Sequence, residues 1–232
     1  MAWIGRGYIS GRSDYRTVVL VALLASLTAC AGGSDTDSGG ADSRHAAVPL
    51  SGSPVAFADS AVATIPLDPA VRYGRLDNGL TYYLLENGSP GGSLELRLAV
   101  AVGSLEQRVA GDGVAHFVEH MLFNGTEVFP GNQLGRVLEG LGVEFGSDLN
   151  AYTSCEATVY RLRIPTTTPG AAEVAFDVLD QWATAATLEP VAVEAERGVV
   201  LDEYRSKESV EGVIAAHFDR VYTQGSVYEG CD

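Results

Sequence analysis

Gly113-Val114-Ala115-His116-Phe117-Val118-Glu119-His120-Met121-Leu122-Phe123-Asn124-Gly125-Thr126 is the stretch from which the rest of the chain can be read. A helix turns about 100° per residue, so positions 116, 119 and 120 project from one face. Two imidazoles one turn apart can both reach a single Zn²⁺ at about 2.0–2.1 Å. Glu119 then lies beside the ion without having to ligate it, placed to take a proton from a zinc-acidified water and return it to a leaving amine. The bland alternative is an ordinary amphipathic helix with two exposed histidines and Glu119 paired to one of them. Phe117, Val118, Met121 and Leu122 count against it. They mark a largely buried helix, in which unpaired imidazoles and carboxylates are expensive.

The order His-x-x-Glu-His inverts the commoner His-Glu-x-x-His arrangement. A catalytic zinc needs a third protein ligand and one open position. The candidates lie in Glu194-Ala195-Glu196-Arg197-Gly198-Val199-Val200-Leu201-Asp202-Glu203-Tyr204. Glu196 and Glu203 are two helical turns apart and share a face. Either can point at the metal while the other supports it. Glu194, Asp202 and Glu208 read as solvated surface charge.

Around these segments the pattern is that of one α+β domain. Tyr73–Leu85 reads as strand, Asn78-Gly79 turn and strand, and Leu94–Val100 as a strand entering a core. Asp112 can cap the metal helix, which Asn124-Gly125 stops. A helix is expected from Asn132 to Leu141, strand from Ala151 to Ile164, and a long helix opened by Thr168-Pro169. Another begins near Glu189-Pro190 and runs past Tyr204, with helix continuing towards Tyr222. Antiparallel strands packed with long helices give the α+β class. The 232 residues carry 46% hydrophobic side chains, enough for a real core, and a formal net charge of −15, the wrong sign for nucleic acid. Three cysteines do not make a disulfide framework; Cys155 and Cys231 could pair in an oxidising compartment, but the simpler reading is two unpaired thiols.

The N-terminus reads as an address. Arg6, Arg12 and Arg16 precede the apolar run Thr17–Leu27, which is too short to span a bilayer as a helix, and Leu27-Thr28-Ala29-Cys30 follows. This resembles the bacterial lipobox, in which a cysteine is lipidated after cleavage. Residues 1–29 are therefore expected to be a lipoprotein signal peptide. Residues 30–65 would be a lipidated Cys30 with a flexible Gly/Ser/Asp/Ala-rich linker, and 66–232 the folded domain. His45, in the linker, reads as a solvated residue. The expected location is the bacterial cell envelope, with the domain held to a membrane by acyl chains.

Taken together, these segments resemble the pitrilysin/insulinase family of zinc metallopeptidases. The motifs that carry the resemblance are Arg75-Leu76-Asp77-Asn78-Gly79-Leu80, the metal helix with its following turn, Asn150-Ala151-Tyr152-Thr153, and Glu196-Arg197-Gly198-Val199-Val200-Leu201-Asp202-Glu203. The resemblance implies one zinc per chain held by His116, His120 and Glu203, with Glu196 as the supporting carboxylate and Glu119 as general base. It also implies that Asn150 holds the backbone of an extended peptide, although turn capping is an equally ordinary use of that asparagine. Members of the family pair two homologous halves, and nothing here matches the second. The expectation is the catalytic half of a zinc endopeptidase acting on peptides or unfolded proteins, partnered in cis or in trans. The rival readings are an incomplete or non-catalytic interaction half, and a structural zinc lipoprotein with Cys155 or His217 as a fourth ligand.

Overall fold

The computed structural model describes residues 66–89, 91–107 and 113–231, and the backbone of residues 17–24. Cys30, His45, Asp112 and most of the expected leader and linker lie outside the described residues. Residues Pro69–Asp232 belong to one compact unit that also takes in Met1–Ser26, while Leu27–Asp68 form a separate unit described only at 66–68.

The sheet has six strands: β1 (Thr17–Leu24), β2 (Arg72–Arg75), β3 (Thr81–Asn87), β4 (Ser93–Val100), β5 (Leu149–Thr153) and β6 (Thr158–Pro165), in the spatial order β2-β3-β1-β4-β6-β5. All neighbours are antiparallel except β1 and β4, which run parallel. The β2–β3 connection forms as the Asn-Gly pair implies: the Leu76 N–H donates to the Leu80 carbonyl, the Gly79 N–H donates to the Leu76 carbonyl, and Gly79 takes φ 91°, where a side chain would be strained. The expected strand from Ala151 to Ile164 is two strands, not one. Ser154 closes a turn onto Ala157, its hydroxyl donating to the Ala157 carbonyl and accepting from the Ala157 N–H. Side-chain bonds of this kind compete with ladder bonds and break a strand.

Alternation along β4 and β6 builds the core. Leu94 lies opposite Ile164, Leu96 opposite Leu162 and Leu98 opposite Tyr160, all of them buried. On this face pack α2 (Gln133–Gly140), through Leu134 and Leu138, and α3 (Ala171–Thr184), through Ala171, Ala175, Val178, Leu179 and Trp182. Each leucine or valine among them contributes about 1.5–3 kcal/mol when fully buried. Helix α3 starts after Gly170, with Thr168-Pro169 just ahead of it rather than inside it.

Helix α1 (Val114–Met121) follows Gly113, which adopts φ 65°. Helix α4 (Pro190–Ser206) opens with Pro190, where a missing N–H costs nothing. It buries a single residue, Val200, and α5 (Val210–Thr223), capped by Ser209, buries none. Among the described residues no helix is long and apolar enough to cross a membrane.

The two thiols expected to be free are joined. Cys155 and Cys231 form a disulfide with Cα atoms 5.7 Å apart. The chain after α5 turns back to the β5–β6 turn, a non-local approach that cysteine spacing does not encode. The same turn is pinned from the other side. Ser104 and Leu105 donate their N–H groups to Ser154 and Cys155, and Gly103 lies so close to those carbonyls that no Cβ would fit.

Candidate metal centre

Helix α1 carries His116, Glu119 and His120 on the face turned towards α4 and the end of β5, and α4 brings Glu196 and Glu203 to the same place. His116 Nε2 and His120 Nε2 are 3.2 Å apart. Glu203 Oε2 lies 3.5 Å from the first and 3.3 Å from the second. A tetrahedral ion bound at about 2.05 Å needs ligand atoms about 3.35 Å apart. The triangle of donors therefore has the edge lengths zinc requires, and two imidazoles with one carboxylate are donors that suit it. Among the described residues these three form the cluster able to hold a metal ion.

Around them is a set of oriented partners. His120 Nδ1 is 2.7 Å from Glu196 Oε1, and Asn124 Nδ2 donates to Glu196 Oε2 at 2.6 Å. A carboxylate on Nδ1 favours the tautomer that leaves Nε2 free to ligate. Glu119 is 8% exposed and belongs to no ligand triangle. Its Oε2 accepts a 2.6 Å hydrogen bond from Thr153 Oγ1 at the end of β5. Burial, and then the Glu119 charge, push the hydroxyl of Tyr160 well above its ordinary value. On the open side Lys207 Nζ lies 3.0 Å from Glu203 Oε1, leaving Oε2 facing the histidines. Burial pushes the Glu203 carboxyl up. The Lys207 hydrogen bond and the nearby His116, Lys207 and His120 charges outweigh it, and the carboxyl sits below its usual value.

These groups border a cavity of about 570 Å³ that also reaches Asn150, Tyr152 and Tyr204. Asn150 is there, but its amide is engaged locally: Nδ2 donates to the Gly146 carbonyl and Oδ1 accepts from the Ala151 N–H. Cys155 is sealed in the disulfide and is no candidate ligand, and His217 lies on exposed α5 outside the cluster. Thr153, Asn124 and Lys207 were not singled out as site residues from the sequence. Only Lys207 left a readable trace, as the one lysine, four residues after Glu203.

Comparison with known proteins points the same way. The family model described as Insulinase (Peptidase family M16) matches residues 82–224. The "Probable zinc protease PqqL" of Escherichia coli is 41% identical over 149 residues, 64% of this chain and 16% of that protein. The "Zinc protease PQQL-like" of Arabidopsis thaliana is 36% identical over 156 residues, again 16% of its length. The solved first half of the periplasmic protease PqqL from Escherichia coli superposes with TM-score 0.68 at 36% identity, covering 71% of this chain and 35% of that structure. This chain thus spans about one sixth of the length of the curated relatives it matches.

Proposed function

This chain belongs to the insulinase family, peptidase family M16, and from that membership we propose that it is the metal-binding half of a zinc-dependent endopeptidase. The observation that carries the reading is the triangle His116 Nε2, His120 Nε2 and Glu203 Oε2, with edges of 3.2, 3.5 and 3.3 Å. Zinc, when bound there, supplies a Lewis acid that acidifies water and polarises a peptide carbonyl. The remaining chemistry belongs to the chain. Thr153 fixes Glu119 through Oε2, which leaves Oε1 to take a proton from the attacking water and pass it to the departing amine. Glu196 and Asn124 hold His120 in one tautomer and one orientation. The exposed edge of β5 beside the cavity offers an extended peptide a strand to pair with, and Asn150 can turn its amide to the substrate backbone once released from Gly146. Residues 1–29 act as a leader, and Cys30 with residues 31–65 as a lipid-anchored tether, which places the domain at the cell envelope.

A second reading is a half that binds zinc but cleaves little without a homologous partner half, as the solved first half of PqqL is one part of a larger protease. Zinc analysis of the purified chain beside Glu203→Ala addresses the metal: one zinc in the parent and loss of it in the variant are expected, and equal zinc in both refutes the ligand assignment. Glu119→Gln should keep its zinc and lose any peptide cleavage by about 10²–10⁴-fold. Retained cleavage would remove the general-base role. Zinc binding without cleavage by the parent itself would decide for the second reading.

A further inference from the structure

Ion pairs run along α4, and one of them differs in kind from its neighbours. Arg197 meets Glu194 at 3.1 Å and Arg205 meets Asp202 at 2.7 Å, with all four side chains mostly exposed. Such pairs contribute little to stability. Lys207 Nζ instead lies 3.0 Å from Oε1 of Glu203, whose Oε2 is 3.5 Å from His116 Nε2 and 3.3 Å from His120 Nε2. The two oxygens of one carboxylate are thus divided between an ammonium and two imidazoles. Lys207 is itself held in place. Its N–H donates to the carbonyls of Glu203 and Tyr204 at the end of α4, and Nζ lies 5.5 Å from the centre of the Tyr204 ring, within reach of a cation–π contact. That ring in turn sits 6.3 Å from the ring of His116.

We propose that Lys207 is a positioning residue: by holding Oε1 it keeps Glu203 to one-oxygen ligation of the metal and leaves the fourth ligand position open. The inference rests on the metal-site reading above, and concerns how the carboxylate binds, not whether it does. A carboxylate left to itself beside a divalent cation can turn both oxygens to it. With two imidazoles already in place, a second carboxylate oxygen would complete a four-ligand set, the closed arrangement of a structural zinc. Peptide hydrolysis at this site needs the open one. Lysine suits the task, because an ammonium carries three donors and no acceptor. It attracts Oε1 strongly and cannot enter the ligand set itself. Glutamate four residues ahead of lysine is also the favourable order on a helix, so the pair forms without strain.

Cobalt(II) in place of zinc makes the site visible, and imidazole, a neutral ligand, reports the open position without responding directly to a lost charge. The readout is the change in the cobalt visible bands as imidazole is added to the full chain. Lys207→Met should keep its cobalt and bind imidazole at least about tenfold more weakly than the parent. Lys207→Arg can still hold Oε1 and should return to within about threefold of the parent. Arg205→Met removes only the exposed pair with Asp202 and should match the parent. Lys207 is the one lysine of the sequence, so amine chemistry on the folded, cobalt-loaded protein repeats the test without refolding. Acetylation removes the charge and should act as Lys207→Met does, whereas reductive dimethylation keeps the charge and one N–H and should not. Both reagents also reach the N-terminal amine, so the difference between them reports Lys207.

Unchanged imidazole binding in folded Lys207→Met, or in the acetylated protein, would make the pair an ordinary surface contact and overturn the inference. Equal weakening in Lys207→Arg and in the dimethylated protein would overturn it too, since the held oxygen would then not be what matters. Loss of cobalt on removing the Lys207 charge would show that Lys207 decides whether Glu203 ligates at all, which is again a different role. If Lys207→Met does not fold, the acetylated protein decides by the same criterion. A parent chain that takes up no cobalt removes the metal site and this inference with it. Cobalt uptake with no effect of Lys207 removes the inference alone.

Discussion

Replacing Glu196 by glutamine should weaken zinc binding by about 10- to 100-fold while leaving the fold intact. The range follows from what the carboxylate holds. Its Oε1 is 2.7 Å from His120 Nδ1, with the two side chains only 14% and 21% exposed, and its Oε2 takes a 2.6 Å bond from Asn124. A hydrogen bond to a charged group is worth about 1.5–3 kcal/mol and a neutral one about 0.5–1.5. Glutamine keeps an oxygen for one of the two donors and turns an N–H₂ on the other. Loss of the charge alone accounts for about 1.4 kcal/mol, one factor of ten. The mismatched second contact supplies the rest. Glu196→Ala removes both partners and should fall at the upper end of the range or beyond it. The assay is competitive titration against a chromophoric zinc chelator near pH 7, with far-UV circular dichroism to verify folding. Glu194→Gln is the control, because Glu194 is 68% exposed and pairs with Arg197 on the same helix, away from the histidines. A folded Glu196→Gln variant within threefold of the parent would refute the argument that this carboxylate sets the His120 tautomer.

Reducing the Cys155–Cys231 bridge, or replacing both residues by serine, should lower stability in urea. The sequence separation of 76 gives about 4–5 kcal/mol in the chain-entropy model, and an unchanged midpoint would show that the bridge constrains nothing. Asp180→Asn should raise the urea midpoint at neutral pH. Burial, and then the Asp177 charge, lift the Asp180 carboxyl above its ordinary value, and its buried Oδ1 has no hydrogen-bond partner. A carboxyl raised in the folded state contributes stability below its unfolded value and loses it as pH rises through the folded one. The advantage of the asparagine variant should therefore vanish as pH falls below the usual carboxylate range, and a gain that persists there would point to another cause.

The metal helix was legible because its chemistry is local: two histidines and a glutamate fall within one five-residue window at helical spacing. The same holds for Pro190 opening α4 and for the Asn78-Gly79 turn, where single residues dictate backbone geometry. From residues alone the choice between Glu196 and Glu203 stayed open, since both share a face. In space the two differ: Oε2 of Glu203 lies near both imidazoles, while Glu196 reaches the far nitrogen of His120. Thr153 was hidden because a threonine in a strand carries no mark of the side chain it will meet 34 residues away. The disulfide depends on the chain folding back after α5, and the β5–β6 break on one serine side chain bonding its own turn. The placement of β1 was the least readable of all, since strand pairing across the sheet leaves no signature in an apolar run that already has the pattern of a leader.

Helix α4 has a consequence for how the molecule holds together. Seventeen residues long, it buries only Val200, so its attachment to the body rests on what its polar face grips. Glu196 fastens it to His120 and Asn124, and Glu203 would share an ion with the two histidines. An ion at that point works as a rivet between two helices that the hydrophobic core does not weld. Each tenfold rise in free zinc above the dissociation constant would tighten that joint by about 1.4 kcal/mol. In a compartment where zinc runs short, α4 would keep only the Glu196 grip, and Glu203 would lose the ion that ties it to the histidines.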